Sequence, residues 1–183
     1  RDRDKATYWT QGFPCSSKNA EGTKLCFRRF LGPQTDPKHV YTDNSKEFIK
    51  AMYDLGFTHD TCTPHRPATN GIAEAAVKRV KEGTACTLVQ SGFSDEWWES
   101  AMSTYCFLRN VVDKLDDGKT PWKTRFGEDF TGPIIPMGAH VTYKPITDKD
   151  KSRLHGLGSQ VLKGIFVGYV QHAGVGGQVM LRL

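Results

Sequence analysis

The sequence has no run of 18 apolar residues among its 183 positions, and this absence excludes a helical membrane span. It also begins with Arg-Asp-Arg-Asp-Lys, which lacks the apolar stretch of a secretory signal peptide. The excess of positive charge is small: the chain has 25 Lys and Arg and 20 Asp and Glu, which gives a formal net charge of +5. Such an excess permits nucleic-acid binding but does not indicate it alone.

The cysteine content does not indicate a disulfide framework. The five cysteines are odd in number and fall mostly within apolar segments, which favours reduced, buried thiols in an intracellular protein. A zinc site at His59, Cys62 and His65 is the alternative, but it lacks a fourth ligand at a recognisable distance. The cysteines are Cys15, Cys26, Cys62, Cys86 and Cys106.

What is present is an alternation of strand and helix patterns, with 38% hydrophobic and 25% charged residues as in an ordinary globular domain. This alternation predicts an α/β fold with some parallel strand pairing. Two longer helical patterns follow, the second with an acidic first turn. The pattern predicts strands at 6–13, 39–42 and 57–62, and helices at 20–30, 46–55, 72–90 and 95–115.

The character of the chain changes after Asp116-Asp117-Gly118. A short helix is predicted from Pro121, and strand-like runs then replace long helical patterns. We therefore expect a core at 1–116, a connection at 117–132 and a small, incomplete β-barrel-like domain at 133–183. The strand-like runs cover 139–143, 164–170 and 178–183, and the glycine-rich residues 173–177 are expected to form a hairpin turn.

Two carboxylates are the candidate chemical groups. Asp43 follows a predicted strand, where it can ligate a metal ion or simply form a turn before the next helix. Glu74 lies in the first turn of the helix 72–90, where it can ligate a metal or merely complement the positive helix end. Lys78 and Lys81 share its helical face and suit either a phosphate backbone or ordinary ion pairing.

A series of motifs resembles one known family. The pattern T-D-N-x-x-E-F at 42–48, followed by T-P-x-x-P-x-x-N-G-x-A-E at 63–74, is similar to the catalytic core of retrotransposon and retroviral integrases. The likeness continues through S-G-F-S-D-E-W-W-E-S-A at 91–101. It then extends through G-K-T-P-W-K-T-R-F-G at 118–127 and G-I-F-V-G-Y at 164–169, which look like the connection and β-barrel of copia-type elements.

The resemblance implies a ribonuclease-H-like core with an Asp, Asp, Glu triad, of which Asp43 is the second member and Glu74 the third. Such a triad holds two Mg²⁺ (or Mn²⁺) ions for in-line attack on a phosphodiester. The implied partners are element and target DNA and, in the intact protein, further copies of the chain. The residues that match DNA-contacting positions are Lys78 and Lys81 on the helix and His65, Arg66 and Asn70 in the loop before it.

The first Asp of the triad is missing from the pattern. Asp2 and Asp4 precede a strand that resembles the third of the family fold, so we expect an N-terminally truncated core and a fragment that is inactive alone. The alternative is a catalytically dead or domesticated module that binds nucleic acid or supports assembly. A general ribonuclease-H-like nuclease leaves residues 164–169 unexplained. The expected location is nuclear and cytoplasmic.

Trp97 and Trp98 offer a further possibility, because indole rings can stack on bases. Adjacent residues cannot both face the same side of a helix, so we expect at least one of the two to pack in the core.

Overall fold

The computed structural model of the chain describes residues 2–15, 17–32, 35–62, 71–171 and 179–182. It opens with a short antiparallel pair, β1 (Asp2–Arg3) and β2 (Thr10–Gln11). The strand expected at 6–13 is shorter because Asp4 organises a turn, accepting hydrogen bonds from the Ala6 N–H and the Thr7 hydroxyl. Tyr8 completes the reversal at φ 58°.

A compact α/β unit follows, with helix α1 (Ala20–Leu31), strand β3 (Val40–Thr42), helix α2 (Lys46–Leu55) and strand β4 (His59–Thr61). Strands β3 and β4 pair in parallel, which confirms the parallel pairing predicted from the sequence. Their buried neighbours come from both helices, and α1 and α2 pack against each other. The cluster consists of Phe27, Val40, Ala51, Met52 and Phe57.

Two helices form the other half of the core. Helix α3 spans Gly71–Ser91, and helix α4 spans Trp98–Val112 after a 3₁₀ turn at Asp95–Trp97. They pack against each other, and at Gly83 an added Cβ would lie 2.0 Å from the ring of Tyr105. Only glycine fits this crossing, since any larger side chain would have to displace the ring. No helix in the described part of the chain is long and apolar enough to cross a bilayer.

The C-terminal part contains two small antiparallel sheets. Helix α5 (Pro121–Phe126) leads to β5 (His140–Tyr143), the short helix α6 (Asp148–Lys151) and β6 (Leu162–Ile165), which pairs with β5. The second sheet joins β7 (Gly168–Gln171) to β8 (Val179–Arg182).

The strand expected at 164–170 is interrupted between β6 and β7. Phe166 and Val167 are buried at this break, and Gly168 adopts φ 143°, a conformation that favours glycine. An added Cβ on Gly168 would also lie 2.6 Å from the Thr104 hydroxyl of α4. The division of the chain into three regions stays a prediction, but residues after 133 contribute directly to burial around α4.

The largest hydrophobic cluster joins distant parts of the chain around Phe107 of α4. The Phe107 ring stacks on Tyr169 of β7 at a centroid distance of 4.0 Å and meets Trp122 of α5 edge-on at 6.0 Å. Trp9, beside β2, lies 5.9 Å from Trp122. The full set of buried members is Trp9, Phe30, Phe107, Val111, Trp122, Phe166 and Tyr169.

Replacing Phe107, which is 1% exposed, with alanine is expected to lower the free energy of unfolding by about 3–5 kcal/mol because it leaves a cavity between four segments. Urea denaturation followed by tryptophan fluorescence measures this change. Tyr53→Ala on α2 is the control, since that side chain is 86% exposed and its removal should cost no more than about 0.5 kcal/mol. Equal losses in the two variants would contradict the central role of the cluster.

Candidate metal and nucleic-acid site

Asp43 lies directly after the carboxyl end of β3, and its side chain is exposed. One carboxylate oxygen, Oδ1, accepts a hydrogen bond from the Ser45 N–H at 3.2 Å. This is the turn geometry that the sequence left open as an alternative to metal binding. The two roles are compatible, because Oδ2 has no hydrogen bond or ion pair among the contacts of the described residues.

Ser45 occupies the N-cap position of α2 with φ −78° and ψ 139°. This extended conformation is available to any L-residue, so serine adopts it without backbone strain. The Ser45 hydroxyl makes no capping hydrogen bond and is buried without a partner among the described residues. The Ser45 backbone, rather than its side chain, therefore orients Asp43.

His59 on β4 reaches the Asp43 backbone through Thr42, a contact that sequence patterns did not reveal. The Thr42 hydroxyl donates to the Asp43 carbonyl oxygen at 2.7 Å, and His59 Nε2 lies 2.8 Å from the same hydroxyl oxygen. Because the hydroxyl has only one proton to give, His59 must donate from Nε2. The parallel register, which pairs Thr42 with Thr61 and Val40 with His59, places these side chains on one face.

The surroundings of His59 also set its titration. Burial lowers the pKa of His59 below the ordinary value of 6.5; nearby Asp60 opposes this shift and His39 adds to it. Asp60 in turn accepts a hydrogen bond from His39, with Nε2 and Oδ2 2.9 Å apart. Neutral His59 is the form that this environment favours.

Glu74 lies in the first turn of α3, exposed to solvent, and Lys78 and Lys81 follow on the same exposed helical face. Lys78 is paired with Glu82, at an Nζ–Oε1 distance of 3.8 Å, rather than with Glu74. Both members of that pair are well exposed, so the ion pair is weak and either group is available to another partner. The face thus carries Glu74 near the positive helix end, followed by Lys78 with its partner Glu82 and by Lys81.

The predicted loop residues His65, Arg66 and Asn70 lie outside the described residues. The alternative zinc site at His59, Cys62 and His65 is therefore also only partly described. Within the described ranges there is no group of three or more His, Cys, Asp or Glu side chains that could hold a metal ion. Two exposed carboxylates still fit the oxygen-rich, partly hydrated coordination of Mg²⁺, which uses one or two protein carboxylates plus phosphate oxygens and water.

The two tryptophans do not follow the packing expectation. Trp97 is 37% exposed and Trp98 is 44% exposed, so neither lies in the core. Trp97 instead packs on Phe93, with ring centroids 4.9 Å apart. Trp97 ends a 3₁₀ turn, and α4 begins only at Trp98. The prediction of one continuous helix at 95–115 did not include this turn.

No protein-family model matches the sequence. Among solved structures, the chain is similar to the HTLV-2 integrase catalytic core domain, a trimeric form in complex with magnesium, at 18% identity and a TM-score of 0.53. That match covers 67% of this chain and 80% of the other. The chain is also similar to a chain of the simian T-cell lymphotropic virus intasome in complex with PP2A regulatory subunit B56 gamma, at 20% identity and a TM-score of 0.55.

The second match covers 94% of this chain but 62% of its counterpart, so the sequence spans less than two thirds of that protein. At these identities the comparisons establish the fold. The chain has the α/β, ribonuclease-H-like fold of integrase catalytic cores, with additional small sheets, which confirms the fold predicted from its motifs.

His59→Gln is expected to reduce the loss of stability on acidification, and amide donors in glutamine can replace the Nε2 contact. Since the pKa of His59 is lower in the folded chain, the unfolded chain binds more protons as the pH falls below about 7. The folded chain therefore loses stability, and this loss stops growing once the pH is below the folded pKa. Melting temperatures between pH 7.5 and 5 measure this effect. The control is His140→Gln, an exposed position on β5; identical pH profiles for the two variants would contradict the assignment.

Proposed function

We propose that this chain is part of an integrase of a copia-like retroelement, which joins element DNA ends to target DNA by metal-dependent phosphoryl transfer. The observation that carries the proposal is the position of two exposed carboxylates on an integrase-core fold. Asp43 follows the carboxyl end of a parallel strand, and Glu74 lies in the first turn of a long helix that carries Lys78 and Lys81 on the same face.

In this proposal Asp43 and Glu74 hold Mg²⁺ or Mn²⁺, and the magnesium complex of the HTLV-2 core supports a divalent ion. When bound, such ions activate the attacking oxygen and stabilise the leaving oxygen in an in-line displacement. The chain itself orients Asp43 through the Ser45 N–H and fixes its backbone through the Thr42 hydroxyl. Exposure of both carboxylates leaves them accessible to a DNA backbone.

Lys78 and Lys81 are proposed to contact phosphates of the element DNA from the same face of α3. Their ammonium groups lie about one and two turns behind Glu74, where each can approach a backbone phosphate. His65, Arg66 and Asn70, in the segment between β4 and α3, are proposed as further DNA contacts.

Assembly is also proposed, because the similar solved structures are a trimeric core and an intasome. We propose a homo-oligomer of the intact protein on the same ground. We also propose that the protein acts inside the cell, in the nucleus and the cytoplasm.

A second candidate is a module that binds nucleic acid without catalysing strand transfer. It is favoured by the lack of a three-ligand metal cluster within the described ranges. The two candidates share Lys78 and Lys81 on α3 and differ in the contribution of Asp43 and Glu74.

Removing both lysines is expected to weaken binding to duplex DNA and to lower the slope of log K against log salt concentration by about 2, since each phosphate contact contributes roughly 0.9. Fluorescence anisotropy over a salt series measures both quantities for Lys78→Ala combined with Lys81→Ala. Arg79→Ala is the matched control, because Arg79 is on the same helix but lines a cleft on its other side. If Arg79→Ala lowers the slope as much as the double variant does, the proposed DNA face is wrong.

Asp43→Asn and Glu74→Gln are each expected to weaken Mn²⁺ binding about tenfold or more, because an amide supplies no charge to a hard cation. Electron paramagnetic resonance of free Mn²⁺ reports the binding directly. Asp148→Asn, at a fully exposed carboxylate on α6, serves as the control and should leave the affinity unchanged.

Strand transfer by this chain alone is expected to be undetectable, since a complete triad is needed for two metal ions. A gel assay with labelled DNA ends and Mg²⁺ tests this expectation. Joining that is lost in Asp43→Asn would support the integrase and refute inactivity of the chain alone. DNA binding that is unchanged in both carboxylate variants, together with unchanged Mn²⁺ affinity, would favour the second candidate.

A further inference from the structure

The cysteines are more exposed than their apolar sequence neighbours suggested. Cys15 and Cys86 are exposed, Cys26 and Cys62 are half-buried, and only Cys106 is buried. The expectation of buried thiols is therefore wrong for four of the five. Cys15 and Cys62 lie in connections after β2 and β4, and Cys26 and Cys86 lie on helices that bury only some of their residues. None of the five is in a disulfide.

Two of these thiols lie against each other. Sγ of Cys15 is 3.5 Å from Sγ of Cys26, although the residues are eleven positions apart in sequence. A disulfide has an S–S distance of about 2.05 Å, so the two sulfur atoms must approach each other by about 1.5 Å for the bond to form. Cys15 follows Pro14 in the connection after β2, and Cys26 is in the middle of α1.

The pair lies at a junction between two hydrophobic clusters. Phe13, two residues before Cys15, packs against the cluster around Phe107, whereas Phe27, beside Cys26, belongs to the cluster between α1 and β3. A covalent bond between the two cysteines would tie the start of the connection to α1. Helix α1 already contributes Phe30 to the first cluster and Phe27 to the second, so the bond would add a covalent link to this junction.

We propose that Cys15 and Cys26 form a reversible disulfide, making this pair an oxidative modification site. The oxidant is a small-molecule disulfide of the glutathione class. The Cys15 thiolate, the more exposed of the two, attacks one sulfur of glutathione disulfide and releases one glutathione thiolate. The Cys26 thiolate then attacks Sγ of Cys15 and releases the second glutathione, so two protein thiols are oxidised and one disulfide is reduced to two thiols.

The bond closes a short loop and restricts the unfolded chain more than the folded one. The oxidised protein should therefore melt at a higher temperature than the reduced protein, by about 5 °C for a chain of this size. The shift depends on neither DNA nor metal, so the proposal is independent of the proposed function.

The test treats the full chain with an equimolar amount of glutathione disulfide and maps its peptides under non-reducing conditions. Trypsin cleaves at Lys18 and Lys24, so the expected product is residues 6–18 linked to residues 25–28, with no retained glutathione. Dithiothreitol should separate the peptides and reverse the rise in melting temperature.

Cys15→Ser and Cys26→Ser should each abolish the linked peptide and the thermal shift, and Cys86→Ser, at an exposed position on α3, should preserve both. Three results would overturn the proposal: a stable glutathione adduct on Cys15, a linkage of either cysteine to Cys86, or a disulfide between two copies of the chain. Because Cys15 is exposed, Cys15→Ser is expected to fold normally. That variant alone decides the test if Cys26→Ser does not fold.

Discussion

The packing of aromatic rings against Phe107 is the interaction on which the rest of the structure depends. Helix α4 lies at the centre, and segments from the start, middle and end of the chain meet its buried face through Trp9, Trp122 and Tyr169. Aromatic side chains bury large apolar areas with few rotatable bonds, so a few rings can hold distant segments in one arrangement. Asn110 completes this contact, since its amide accepts from the Thr10 N–H and donates to the Thr10 carbonyl.

Arg125 closes the same region from outside. Its guanidinium lies 5.0 Å from the Trp9 ring centroid and 5.1 Å from that of Phe30, and it donates to the Phe30 carbonyl. Burial lowers the pKa of Arg125, and Asp4 partly offsets the shift. Arginine keeps its charge at such a site, so cation–π contacts and the carbonyl bond compensate for lost water. The β2 end of the chain is thereby attached to α1 and α5.

The candidate site depends on a separate, smaller unit. Strands β3 and β4 rest on α1 and α2, and their register sets which side chains share a face with Asp43. His59 on β4 contacts the Thr42 hydroxyl on β3, and that hydroxyl donates to the Asp43 carbonyl oxygen. Glu74 is presented independently, by a helix that is held at Gly83 against Tyr105. Two separate elements therefore position the two carboxylates, and α1 and α4, which contribute Phe30 and Phe107 to the aromatic cluster, pack against those elements.

Much of this was available from local patterns. The helices 46–55 and 71–91 follow from apolar periodicity and from glycine at their ends, and the ordered motifs at 42–48 and 63–74 indicated the fold. The strand predicted at 6–13 is reduced to Thr10–Gln11, because Asp4 and Tyr8 form a turn that apolar periodicity does not detect. The helix predicted at 95–115 is too long at both ends, because a 3₁₀ turn occupies 95–97 and α4 ends at Val112. Both tryptophans are exposed.

The sequence by itself determined the element types, the fold and the identities of the candidate carboxylates, because these depend on neighbours within a few positions or on ordered motifs. The tertiary structure decided the rest. It brought His59 to Thr42, Cys15 to Cys26 and Tyr169 to Phe107, pairs separated by 17, 11 and 62 positions. Strand register, helix crossing and loop direction set such contacts, and these are fixed by global packing rather than by any local pattern.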